Sequence, residues 1–223
     1  MKNLLLATSL LTGLAFADVA TAQAQMTDQA PVGKGAGAFM VRGRLIGVIP
    51  QNSSSSLSGA LTTGGVGTSN FATPEADFSY FLTDNIALEL IAATSKHDLY
   101  AVNSALGSSY RVGSTWVLPP TLLLQYHFMP HEKFSPYVGA GVNVSFFYAT
   151  SAANNAVTSL ALKSNVGAAI QAGFDYNFSG RWFANFDVKQ IFVSTEASIN
   201  GGAIRAKTAL NPTVVGAGIG YRF

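Results

Sequence analysis

Ten charged residues, spread over most of the chain, share one parity. The segments 37–49, 71–82, 86–97, 113–129, 134–150, 163–178, 181–195 and 208–223 alternate with period two, the side-chain repeat of a β-strand. In those registers Arg42, Arg44, Glu75, Asp77, Glu89, Lys163, Asp175, Asp187, Lys189 and Arg222 all fall on the same face. The opposite face is almost continuously apolar, as in Phe78, Tyr80 and Leu82, in Leu122, Leu124 and Tyr126, and in Phe174, Tyr176 and Phe178. Lys96 and Arg181 break it, both at segment ends. A sheet built this way hides its charge on one side and shows aliphatic and aromatic groups on the other.

Composition decides which side meets what. Charged residues make up 11% of the 223-residue chain, less than half of the ~25% usual in soluble proteins. A soluble barrel with an apolar lining would need an outer face rich in Lys and Glu, which this chain lacks. Beyond the first residues there is no apolar run of 18, so no transmembrane helix is expected. In lipid, only a helix or a closed barrel satisfies every backbone group. The segments are 12–17 residues long, well beyond the ~5–6 of ordinary strands and enough for a tilted membrane strand. Connections alternate between tight (Thr83–Asn85, Pro130–Lys133, Ser179-Gly180) and long (50–70, 98–112, 151–162, 196–207). The stretch "QNSSSSLSGALTTGG" at 51–65 reads as a low-complexity, mobile loop.

The fold predicted is all-β: an eight-stranded antiparallel up-and-down transmembrane β-barrel with short periplasmic turns and long extracellular loops, in the outer membrane of a Gram-negative cell. Gly139, Gly141, Gly167 and Gly173 share the charged parity, as suits a cramped lumen. Lys2, the apolar "LLLATSLLTGLAFA" at 4–17 and small residues up to Ala22 or Ala24 read as a cleaved signal peptide, residues 1–22 or as far as 24. A membrane anchor would be longer. A short periplasmic segment, 23–36, then leads into the barrel, 37–223. A net charge of +2 argues against nucleic acid as a partner, and no cofactor motif is present.

By height along the strands, the inward face divides. Arg42, Arg44, Glu75, Asp77, Glu89, Asp175, Asp187 and Arg222 make a charged plug, since buried charges need partners. Toward the outside lie Ile46, Val48, Ile91, Val117, Phe147, Ile191, Val193, Leu210 and Val214, an apolar upper lumen suited to an apolar solute. Lys163 and mid-height Lys189 are exceptions. With the lower lumen plugged, a solute would leave sideways into the bilayer. Pro119-Pro120 offers the place, because neither residue donates to a strand ladder; a β-bulge or the start of regular pairing explains the same pair. Catalysis finds little support. His97 stands beside Asp98, but adjacent residues of a strand point to opposite faces, and a Ser–His–acid site is defined by geometry. Three scattered histidines show no metal-ligand spacing.

Several stretches together resemble the outer-membrane protein W (OmpW) family: "TDNIALELIAAT" (83–94), "LPPTLLLQYHF" (118–128), "FSPYVGAGVNVSFF" (134–147), "GAAIQAGFDYNFSGRWFANFDV" (167–188) and the terminal "GYRF". The resemblance runs from about residue 37 to the end. It implies an eight-stranded barrel associated with passage of small apolar molecules. Tyr221 and Phe223 resemble the signal read by the barrel-assembly machinery. Expected partners are therefore outer-membrane lipids, that machinery and small hydrophobic solutes. The alternative is a closed structural barrel, or a receptor or adhesin acting through its extracellular loops.

Overall fold

The computed structural model describes residues 33–52, 54–59, 64–104, 107–153 and 157–223; the predicted signal peptide and its cleavage sites lie outside them. In chain order the strands among these residues are β1 (Phe39–Ile49), β2 (Ser54–Gly59), β3 (Gly65–Thr68), β4 (Phe71–Phe81), β5 (Ile86–Ala93), β6 (Ser95–Ser104), β7 (Gly107–Leu118), β8 (Thr121–His127), β9 (Phe134–Ala152), β10 (Leu160–Leu162), β11 (Asn165–Ser179), β12 (Trp182–Phe192), β13 (Ser194–Ile199), β14 (Ile204–Ala209) and β15 (Thr213–Arg222). Eight of them close a barrel in the cyclic order β1-β4-β5-β8-β9-β11-β12-β15, every neighbour antiparallel. β15 pairs back onto β1 from Met40↔Arg222 to Ile49↔Thr213. Closure leaves this part of the sheet without an edge, as a bilayer requires.

The connections at one end are short. In the turn between β4 and β5 the Thr83 hydroxyl accepts hydrogen bonds from the amides of Asn85 and Ile86. Between β11 and β12 the chain turns at Gly180, whose φ of 51° lies in the left-handed region that glycine enters at little cost.

At the other end the structure departs from the sequence reading. The segments expected as loops continue the sheet beyond the barrel. β3, β6 and β7 build onto the outer half of β9, while β10, β13, β14 and β2 form a separate four-stranded sheet. Even the serine-rich stretch expected to be mobile contributes β2, paired with β14 from Ser54↔Ala209 to Gly59↔Ile204. A ladder is held by backbone groups, so a neighbouring strand can order a stretch whose side chains carry no apolar pattern.

The outward face is the one the parity marks. Leu45, Leu90, Leu122, Val142, Val166, Ile170 and Ile219 are exposed around the wall. An aromatic band surrounds the short-turn end, with Phe39 stacked on Phe78, Trp182 edge-on to Tyr221, and Tyr221 edge-on to Phe223. Such bands mark membrane interfaces. Ala217 sits between Leu45 and Phe186 on this face. Ala217→Arg is expected to cost about 2–4 kcal/mol, as for a cation on the lipid face near the midplane, measured by urea unfolding in bilayers. Unchanged stability would place Ala217 away from lipid.

The bore is filled. Glycines on the inner face make room for large side chains to cross it: a Cβ at Gly173 would lie 2.7 Å from both the Tyr137 ring and Asp187 Cβ. Tyr137 is 1% exposed, which is possible only because that position carries no side chain.

Candidate functional site

From the short-turn end upward, the interior has three layers. Met40, Phe81, Ala87 and Phe183 form an apolar base. Above it lies a layer of ion pairs, and above that an apolar cavity.

The ion layer follows from strand register. Arg42 faces Asp77 and Arg44 faces Glu75 across β1 and β4, while Asp187 and Lys189 are two residues apart on β12 and share its inner face. Arg42 Nη1 lies 3.0 Å from Asp77 Oδ1 and 3.3 Å from Glu89 Oε1, and donates to Ser79 Oγ at 2.6 Å. Its Nε and Nη2 grip the two oxygens of Asp175 at 3.3 and 3.0 Å, the bidentate fork that guanidinium geometry favours. Arg44 reaches Glu75 at 2.7 Å, Asp77 at 2.9 Å and Asp187 at 2.9 Å. Lys189 Nζ bridges Glu75 and Asp187, each at 3.1 Å. Every one of these side chains is buried, with Arg42, Asp77, Glu89 and Asp187 wholly inaccessible.

The layer contains a residue the sequence reading missed. Lys34, in the segment expected to be a periplasmic lead-in, turns into the barrel and places Nζ 2.6 Å from Asp175 Oδ2, 2.9 Å from His127 Nδ1 and 2.9 Å from Ser135 Oγ. An ammonium only donates, so His127 Nδ1 accepts and Nε2 carries the hydrogen, donating to Gln125 Oε1 at 3.1 Å. Gln125 then donates to Gln171 at 2.9 Å, and Gln171 to Asp187. One chain of polar contacts thus ties the bottom of the layer to its top.

Two charges expected inside lie elsewhere. Lys163 is exposed between β10 and β11, because the barrel strand begins only at Asn165. Arg222 is half-buried at the rim, where its guanidinium donates to the Gly33 carbonyl; its position at the end of β15 puts it below the plug carboxylates.

The cavity above has a volume of about 100 Å³. Ile46, Val48, Ile91, Val117, Phe147, Ile191, Val193, Leu210 and Val214 all line it, together with Pro119. Glu75 and Lys189 form its floor. Its upper wall includes Leu99, Val112, Leu160, Ala197, Ile199 and Ala206, residues of segments the sequence reading treated as long extracellular loops. A signal was there, in Leu99 and Ala101 and in Ala197 and Ile199, spaced two apart. Ser95 and His97 also line the cavity, with Ser95 Oγ 2.9 Å from His97 Nε2 and His97 Nδ1 2.7 Å from the Ser69 carbonyl. Asp98 instead pairs with Arg111 on the outside, 2.6 Å apart.

Pro119 and Pro120 interrupt the wall of the cavity without shifting it. β5 pairs with β8 up to Ile91↔Thr121, and β6 with β7 from Ser95↔Val117 in the same register. β9 likewise keeps register from Thr121↔Asn143 to Leu118↔Phe146. The prolines therefore do not make a bulge. What they remove is two N–H donors. Pro120's carbonyl still accepts from the Val144 amide at 3.0 Å, but Pro119's is taken by the side chains of Asn143 and Thr121, at 3.1 and 3.0 Å. Residues 92–94 carry no ladder partner opposite 118–120, and a side chain spans the break, Thr94 Oγ1 donating to the Val117 carbonyl at 3.3 Å. Inside this seam are Ala93 and Pro119, both lining the cavity; outside are Ala92 and Leu118, both exposed to the lipid side.

Comparison with known proteins is consistent along the whole barrel. The family model described as "OmpW family" matches residues 35–223. An uncharacterized outer-membrane protein of Sinorhizobium fredii, y4mB, is 40% identical over 95% of this chain and 93% of its own length. Outer membrane protein W of Vibrio cholerae is 33% identical over 84% of this chain and 89% of its own. Among solved structures, the outer membrane protein OprG from Pseudomonas aeruginosa superposes with a TM-score of 0.79 at 30% identity, covering 86% of this chain and 98% of that one.

Proposed function

Because the chain belongs to the OmpW family of Gram-negative outer-membrane barrels, we propose that it carries small hydrophobic molecules passively across the outer leaflet. The molecule enters the apolar cavity from the extracellular end and leaves sideways into the bilayer above the charged plug. The observation that supports this reading is the coincidence of cavity and seam. The wall between the cavity and lipid lacks ladder pairs where Ala92, Ala93, Leu118 and Pro119 stand, small or apolar on both faces. The downward route is blocked by a layer of mutually paired charges, so neither water nor ions have a continuous path. Nothing in this role requires catalysis or a cofactor.

We further propose that residues 1–22 direct export, and that Tyr221 and Phe223, on the lipid side of the closing strand, are read by the barrel-assembly machinery. The reading is tested with purified barrel in vesicles whose outer leaflet is lipopolysaccharide. Uptake of a small apolar solute should rise above that of empty vesicles, while a polar solute of similar size gains nothing. A folded barrel that raises neither would leave the structural or receptor role, acting through the extracellular sheets.

A further inference from the structure

The cavity is not uniformly apolar. Thr208, on β14, is 3% exposed and lines it, and among the described residues its hydroxyl has no hydrogen-bond partner. The same holds for the buried hydroxyl oxygen of Thr68, on β3, another lining residue. A buried hydroxyl left unsatisfied loses its hydration with nothing in return, so each such group calls for an explanation. On the same side as Thr68 lie Ser95 and His97. The Ser69 carbonyl can only accept, so the network assigns the hydrogen of His97 to Nδ1 and makes Nε2 the acceptor of the Ser95 O–H. Ser95 Oγ, 4% exposed as a residue, then keeps lone pairs for something in the cavity. Thr208 can both donate and accept.

The charged groups at the floor are different. Lys189 and Glu75 are committed to each other and to Asp187 and Arg44. They have nothing to spare for an incoming ion. The cavity thus offers neutral hydrogen-bonding groups on an apolar wall and, among the described residues, no uncommitted charge.

We propose that this is a binding site for hydrophobic molecules bearing one small uncharged oxygen group, an alcohol or a ketone, with the Thr208 hydroxyl as its hydrogen-bonding contact. The inference rests on the conduit reading and adds the chemical class. A hydrocarbon leaves the Thr208 hydroxyl unsatisfied, and a carboxylate would be stripped of water with no free cation to meet it. Sites built to hydrogen-bond a substrate oxygen reject the analogue that lacks it for this reason.

The test is equilibrium binding to the full-length barrel in lipid nanodiscs, with isoleucine and valine methyl groups labelled so that Ile91, Val193 and Val214 report occupancy by NMR. The probes are 1-octanol, 2-octanone, n-octane and octanoate, each corrected for partitioning into empty nanodiscs. Wild type is expected to favour the alcohol and the ketone over n-octane on the order of tenfold, the worth of one hydrogen bond, and over octanoate by at least as much. Thr208→Val keeps the shape and removes the hydroxyl; it should reduce the preference over octane several-fold while n-octane binding holds. Thr208→Ser should retain the preference. Equal binding of alcohol and alkane by wild type, or a preference untouched by Thr208→Val, overturns the site while leaving the conduit intact. Cavity methyls that respond to none of the four probes overturn the conduit reading, and the site with it.

Discussion

Arg42→Met is expected to destabilise the folded barrel by about 3–5 kcal/mol, the loss seen when one partner of a buried ion pair is removed. The size follows from what the guanidinium does. It meets Asp77, Glu89 and Asp175 at once, at 3.0, 3.3 and 3.0 Å, in a place no water reaches. Methionine fills much of the same space, so the loss is not chiefly one of packing. It leaves three carboxylates with only Arg44, Lys34 and Lys189 to share, in a layer where five carboxylates already face four cations and where Glu89 Oε2 has no hydrogen-bond partner among the described residues. Arg42→Lys keeps the charge but cannot hold both oxygens of Asp175 while reaching Asp77, and an intermediate loss is expected. Urea titration of the barrel in vesicles, followed by the shift in gel mobility between folded and unfolded forms, checks both. A methionine variant as stable as wild type would mean that the plug carboxylates do not depend on Arg42.

The second large effect is on passage rather than stability. Pro119→Val with Pro120→Val returns two N–H donors to a strand that is already in register with both neighbours. Valine suits a paired strand, and nothing needs to slide for the ladder to close across residues 92–94. Uptake of an apolar solute into vesicles is expected to fall at least tenfold, about 1.4 kcal/mol on the rate-limiting barrier, while binding in the cavity is retained. Stability should hold or rise, because the two substitutions add hydrogen bonds and remove none that the prolines make: the Pro120 carbonyl bond to Val144 and the contacts of Asn143 and Thr121 to the residue 119 carbonyl involve no proline ring. Uptake unchanged in a folded double variant would remove the lateral exit, and a solute bound in the cavity would then need another way out.

These two outcomes separate the layers of the molecule. The Arg42 result concerns the plug alone, and the proline result the seam alone. The Thr208 variants concern neither. A barrel that needs Arg42 to stay folded, passes solute only with Pro119-Pro120 in place, and discriminates by Thr208 has stability, exit and selectivity at three heights of one lumen.

How much of this the linear chain carries can be argued from particular residues. The eight membrane strands, their closure and their lipid face are legible because parity is a local property. Arg42 and Arg44, or Asp187 and Lys189, declare their common face by spacing alone, and so do Leu122, Leu124 and Tyr126 on the other. Height is nearly as local, since it counts residues from a turn, and it put Ile46, Ile91 and Val214 in one layer. What sequence could not show is which distant groups converge. Lys34 precedes the first strand and belongs to no alternating pattern, yet it reaches Asp175 because the turn at Pro130 accepts its amide hydrogen bond and aims the side chain inward. The serine-rich β2 and the short β13 and β14 are ordered by pairing with each other, which depends on backbone groups that every residue has and no composition reveals. Arg222 and Lys163 have the parity of the plug but stand beyond its height, so their partners differ. Parity and height, set by the pleat and the rise of a strand, were therefore determined by the sequence itself. The pairing of charges, the unsatisfied Thr208 and the unbroken register through Pro119-Pro120 were decided only when closure of the barrel brought strands far apart in the chain around one bore.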